Sequence, residues 1–104
     1  MEKSKKKIRW TDPAMMGLLR IFEYVENTLG FDAADNLSNK IIAKTDILVD
    51  FPELGTIEQE LKNRVITFRY LIEGYFKIIY HVEKNLVKID YVFDTRQNPK
   101  NLKE

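Results

Sequence analysis

The sequence predicts an α+β fold: an N-terminal strand, an antiparallel helical hairpin and a three-stranded antiparallel meander. Three observations lead there. Residues 64–72, 75–82 and 86–94 are dominated by β-branched, aromatic and apolar side chains, which favours strands. The gaps between them are only Glu73-Gly74 and Glu83-Lys84-Asn85, short enough for hairpins and nothing else. Before Pro52, the apolar residues recur at helical spacing instead.

The elements follow in order. Residues 7–11 suit a short strand. Asp12 is placed to cap a helix, and Pro13 suits a first helical position because its missing N–H would have had no partner there. Ala14, Leu18, Ile21, Phe22, Val25 and Leu29 form one apolar stripe, and Gly30 stops the helix. Asp32 is placed to cap a second helix, whose stripe of Ala34, Leu37, Ile41, Thr45 and Leu48 runs to about residue 50. A link of about two residues makes the helices antiparallel neighbours. Pro52-Glu53-Leu54-Gly55 reads as a turn. Residues 56–63 fit a helical turn, an edge segment or a loop equally well.

Strict alternation on the last strand would put Val87, Ile89, Tyr91 and Phe93 on one face, with Lys88, Asp90, Val92, Asp94 and Arg96 on the other. The neighbouring strand alternates Phe76, Ile78, Tyr80 and Val82 with Tyr75, Lys77, Ile79 and His81. The helical hairpin should cover the apolar face. The opposite, mixed face should display Lys77, His81, Lys88, Asp90, Asp94 and Arg96, joined by Arg64 or Arg69 from the first meander strand.

The 104 residues form a single domain, with 1–6 and 100–104 as candidates for disorder. Apolar residues make up 44% and charged residues 32%, enough for one core without staples. The absence of cysteine excludes disulfides and thiolate zinc sites, and one histidine leaves little for a metal, so no cofactor or metal is expected. A net charge of +1 does not mark a dedicated nucleic-acid binder. The basic start is followed by no apolar core of a signal peptide, and no run is long enough to span a membrane, so a cytoplasmic protein is expected.

Four segments together resemble the RelE/ParE superfamily, the toxins of bacterial type II toxin–antitoxin pairs, which include plasmid-stabilisation proteins. Trp10-Thr11-Asp12-Pro13-Ala14 is similar to the family opening W-T-x-x-A. Leu48, Pro52 and Gly55 match L-x-x-x-P-x-x-G, and residues 75–80 are similar to a Y-x-I-I-Y strand. Phe93-Asp94-Thr95-Arg96-Gln97-Asn98-Pro99 resembles the closing arginine segment. The resemblance implies a toxin neutralised by a small antitoxin. Its target would be DNA gyrase for a ParE-like member, or the translating ribosome for a RelE-like messenger-RNA endonuclease; an inactive homologue or a non-toxic interaction domain is the remaining alternative.

The resemblance makes Arg96 a contact to target or transition state, and Arg69 or Arg64 its partner from the first meander strand. For a nuclease, Arg96, Arg69 and His81 would be the catalytic set, with His81 either a general base or a structural histidine. For target binding the candidates are Arg96, Arg64, Lys77 and Asp94; for antitoxin binding, Met15, Met16 and Phe22. The C-terminal segment 100–104 lacks the tyrosine or histidine–tyrosine pair of many nuclease members, and Glu58 and Glu60 stand where RelE has lysines nearby. Both departures count against the nuclease mechanism, and the near-neutral charge and the missing tyrosine fit the gyrase reading better.

Overall fold

Thr11 organises the first junction of the chain. In the computed structural model, which describes residues 6–61 and 65–96, strand β1 (Lys7–Trp10) runs directly into helix α1 (Asp12–Leu29). Thr11 Oγ1 accepts the Ala14 N–H at 3.1 Å, so Thr11 is the cap that Asp12 was expected to be. Asp12 instead sits in the first turn, where its negative charge meets the unpaired amides of the helix start. Ala14, Gly17, Ile21 and Val25 are the buried side of α1; Leu29, expected on that stripe, is exposed at the end.

Gly30 alone joins the two helices. Its φ of 96° is open to glycine, and its N–H closes α1 on Glu26 O while its carbonyl accepts from Ala34. Helix α2 (Phe31–Asp46) therefore starts without a side-chain cap, and Asp32 lies within its first turn rather than capping it. Ala34, Ile41 and Thr45 are buried, and the chain tightens into a 3₁₀ turn (Ile47–Val49) that buries Leu48. No helix among the described residues is long and apolar enough to cross a membrane.

The sheet has five strands rather than four, in the order β1-β5-β4-β3-β2. The ambiguous stretch after Gly55 resolves into a two-residue edge strand, β2 (Thr56–Ile57), antiparallel to β3 (Phe68–Glu73). Strands β3, β4 (Phe76–Glu83) and β5 (Leu86–Asp94) form the expected meander, and β1 lies parallel to β5. The expected first meander strand starts at 64; the observed one starts at Phe68, and Arg64 lies outside the described residues. The expectations for residues 1–5, for 97–99 and for 100–104 also fall outside them. Lys6 is described, and its amine donates to Lys84 O.

Strict alternation fails on β5. Tyr80 pairs with Ile89 but Ile79 with Tyr91, so Asp90 is an extra residue, a β-bulge. Beyond it the faces exchange. Val92, expected on the mixed face, is buried in the core with Val87 and Ile89, and Asp94 aligns with Phe76 on the same side. Tyr91 and Phe93, expected in the core, align with Ile79 and Lys77 on the side away from the helices. The core thus lies between the hairpin and the face carrying Leu71, Phe76, Ile78, Tyr80, Val87, Ile89 and Val92.

Helix α1 lies close against β5 because Gly17 has no side chain. A Cβ built at Gly17 would collide with the carbonyl oxygen of Val92, a backbone atom that cannot swing aside. Gly17→Ala would ordinarily add about 1 kcal/mol through helix propensity. Here the collision should outweigh that gain, with a net loss of about 2 kcal/mol. Urea unfolding monitored by circular dichroism checks this; an unchanged or raised midpoint would show that α1 does not rest on β5 through residue 17.

Candidate functional site

The bulge and the strand ends distribute the candidate residues over three places. The first is the end of β5. Arg96 donates to Asp94 through Nε (2.9 Å) and a terminal nitrogen (2.6 Å), and its backbone N–H also reaches the same carboxylate. The guanidinium lies 4.5 Å from the centre of the Tyr75 ring. Hydrogen bonds from Arg96 hold the Asp94 carboxyl below its ordinary range against the opposing effect of burial. Arg96 and Asp94 were expected on the mixed face; the bulge turns the end of β5 so that they line a cleft of about 380 Å³ against α1, with Gly17, Arg20 and Tyr24.

His81 defines the second place, on the face away from the helices. Nδ1 meets Asp90 at 2.7 Å and Nε2 meets Glu83 at 2.8 Å. Phe68 packs against it, ring centres 5.4 Å apart at 70°. Burial alone would push the imidazole pKa down, but the two carboxylates outweigh it and hold the group above its ordinary value. Both ring nitrogens are engaged by acceptors, which suits an imidazolium that donates twice. Such a group has no lone pair with which to accept a proton from a substrate, so the geometry fits the structural reading of His81 better than that of a general base. Lys77, on the same face, pairs with the buried Glu58 and lies 4.2 Å from the centre of the Tyr70 ring.

Arg69 was expected beside these groups. In register with Tyr80, it points to the other side of the sheet and donates to Gly55 O at 2.9 Å and more weakly to Glu53 O at 3.4 Å. Tyr80, fully buried, accepts the Gly55 N–H at 2.8 Å, so the turn after the second helix is held from two sides. Arg69 and His81 do reach one shallow cleft of about 610 Å³, with Thr67 and Glu83, at one end of β4. Arg96 is at the other end, beside Tyr75. The three residues of the nuclease set are therefore not brought to one point.

The third place is the outer surface of the hairpin. Met15 is 57% exposed and Met16 47% exposed, while Phe22 is half-buried and packs edge-on against Phe31 at 5.8 Å. Leu19 is exposed one turn beyond Met15 and extends the apolar strip. Sequence reasoning missed Arg20 and Tyr24, which carry no motif and become neighbours of Arg96 only because α1 lies against β5. It also missed the bulge. The spacing of Val87, Ile89 and Val92 (two, then three) was its available trace.

The cluster around His81 should be visible in the pH dependence of stability. A raised native pKa contributes stability that is complete below the unfolded value of about 6.5 and is lost as pH rises through the native value. Asp90, pushed up by burial against the pull of His81, acts in the same sense at lower pH. Glu83, held low chiefly by its bond to His81 with Lys88 and Arg9 helping, acts oppositely, losing its contribution as pH falls. Urea midpoints measured from pH 6 to 9 should therefore decline on the alkaline side, and His81→Gln should flatten that decline. An equal slope in the variant would remove His81 as its cause.

The comparisons with known proteins bear on these geometries. The family model of the ParE toxin of type II toxin–antitoxin systems, parDE, matches residues 8–99. No curated protein matches the chain. Among solved structures, a chain of the chromosomal ParDE toxin–antitoxin system from P. aeruginosa superposes with a TM-score of 0.71. It is 15% identical, and the match covers 88% of this chain and 98% of that one, a likeness of fold. With the family model spanning nearly every element described above, from β1 to the arginine beyond β5, the chain belongs to the ParE toxin family, the toxins of type II toxin–antitoxin systems.

Proposed function

We propose that this toxin acts on DNA gyrase and is neutralised by a small antitoxin protein. The observation that carries the reading is the engagement of His81 by two carboxylates, which leaves the described residues without a free imidazole for RNA cleavage. A gyrase poison needs a shaped, rigid surface and no acid–base pair. The end of β5 provides one, with Arg96 fixed by Asp94 and Tyr75. Target binding is assigned to Arg96 with Asp94 as its positioning residue. Lys77, engaged by Glu58, is a weaker candidate, and Arg64 lies outside the described residues.

The solved P. aeruginosa relative is titled as a toxin–antitoxin system, which supports an antitoxin partner here. Met15, Met16 and Leu19 offer an exposed apolar strip on α1, the kind of surface that receives the apolar side of an amphipathic helix, and Phe22 supports it from the hairpin interior.

Purified protein should inhibit supercoiling by gyrase and leave messenger RNA on programmed ribosomes intact. Arg96→Ala should weaken gyrase inhibition about tenfold or more, a loss of about 1.4 kcal/mol. Cleavage of ribosome-bound RNA would replace this reading with the endonuclease one. Expression without growth arrest would point to a non-toxic domain. For the antitoxin, Met15→Asp with Met16→Asp should lower affinity at least tenfold in a binding titration against the adjacent gene product, roughly the loss of one buried apolar anchor. Unchanged affinity would move the antitoxin away from this strip.

A further inference from the structure

We propose that the basic corner where β1 meets the β4–β5 turn (Lys84-Asn85) binds the phosphate backbone of duplex DNA. The ladder assembles this corner. Lys7 is in register with Leu86 and Arg9 with Lys88, which is itself in register with His81. Lys7, Arg9 and Lys88 therefore project from the face away from the helices. The Lys7 N–H donates to Asn85 O at 2.9 Å, and the amine of Lys6 donates to Lys84 O, which draws two more cations to the same turn. Ile8 and Trp10 alternate with these residues, pack against the core and hold the strand from behind.

A net charge of +1 conceals this concentration, because many balancing carboxylates lie on the helices and beside β2, such as Glu23, Glu26, Asp35, Asp46 and Glu58. Within the ladder, Glu83 and Asp90 are both taken up by His81, although Glu83 also lies 3.9 Å from Lys88. Asp50 stands at the edge of the corner, next to Val49, whose carbonyl accepts the Lys6 N–H at 3.4 Å. Lys7, Arg9 and Lys84 are exposed and make no ion pair among the described residues. An arginine fork with separate ammonium groups on a fixed strand suits the repeated anions of a phosphodiester backbone.

Other polyanionic surfaces fit the corner less well. Among the described residues, no exposed large apolar side chain lies in β1 or the β4–β5 turn, so a lipid surface would receive no anchor. The rings of the same face are engaged or recessed: Phe68 packs against His81, Tyr70 lies against Lys77, and Tyr91 and Phe93 are half-buried. A single strand would find no open ring beside the cations on which to stack its bases, whereas a duplex offers phosphates and keeps its bases inside. The corner and Arg96 occupy opposite ends of the β4–β5 hairpin, roughly 25 Å apart along β5. Gyrase holds DNA, so one end of the hairpin would engage protein and the other the bound duplex. That role rests on the gyrase reading; the DNA contact itself does not.

The test is a fluorescence-anisotropy titration of a short labelled DNA duplex of mixed sequence with the full chain. The expected Kd is about 100 μM or tighter at about 50 mM salt, and log Kd should rise against log salt with a slope of about 3 to 4, the signature of four phosphate contacts. Arg9→Gln with Lys88→Gln should weaken binding about tenfold or more and lower the slope by about 2. Lys7→Gln with Lys84→Gln should act in the same way, and these exposed side chains are not needed for folding. Lys40→Gln removes an exposed cation from α2 and should leave Kd unchanged, as should Arg96→Ala. Absence of binding, a slope near zero, or unchanged affinity in both double variants would overturn the proposal. An equal loss in Lys40→Gln would do so too, by assigning the effect to overall charge. So would tighter binding of an oligothymidylate or an RNA duplex than of the DNA duplex, or capture by anionic vesicles at a salt concentration where the duplex is free. The titration contains no gyrase, so its result and that of the supercoiling assay are independent.

Discussion

One additional residue in β5 sets the layout of this protein. Asp90 has no partner on β4, and by standing outside the ladder it reverses the facing of everything after it. Its atoms are also used on both sides of the sheet. The backbone carbonyl accepts the Thr11 hydroxyl at 3.0 Å, which ties the start of α1 to the middle of β5. The carboxylate meets His81 at 2.7 Å, which ties β5 to β4 on the far face. The position thus joins the start of a helix, the hold on His81 and the orientation of Arg96. A regular β5 would carry Asp94 and Arg96 to the face of Lys77 and His81, and the cleft against α1 would lose its acidic wall.

Much of the fold was legible because its signals are local. Gly30 ends one helix, Pro52 follows another, and Gly74 supplies the positive φ of the first meander turn; each acts within a residue or two of where it appears. The cap was misplaced by one residue, since Thr11 and Asp12 are both good caps and only the direction of the incoming strand decides between them. The parallel pairing of β1 with β5 and the two-residue β2 leave no mark in their own composition. The same holds for the site. Arg96 was found through a family motif, whereas Arg20 and Tyr24 acquire meaning only from the packing of α1, and the two carboxylates on His81 arrive from different positions along the hairpin.

The geometry also separates rigidity from reactivity. Charged groups that might have served chemistry are mostly held by neighbours: Arg69 by loop carbonyls, Lys77 by Glu58, Arg96 by Asp94, His81 by Asp90 and Glu83. Each such contact fixes a side chain in place. The hairpin surface shows the opposite balance, with exposed methionines that can adapt to a partner's shape. This balance supports the proposed reading, in which the surface recognises a target and carries out no acid–base step.

The parallel ladder between β1 and β5 carries a consequence for how the chain matures. Lys7 is in register with Leu86 and Trp10 with Ile89, so the first strand finds its place only after the last has formed. Contacts that span so much of the chain are slow to close. During synthesis, the opening strand must remain unpaired until the residues of β5 have been made. Because α1 is fastened to Asp90 as well, the recess that it makes with β5 cannot form until residues 86–94 have left the ribosome.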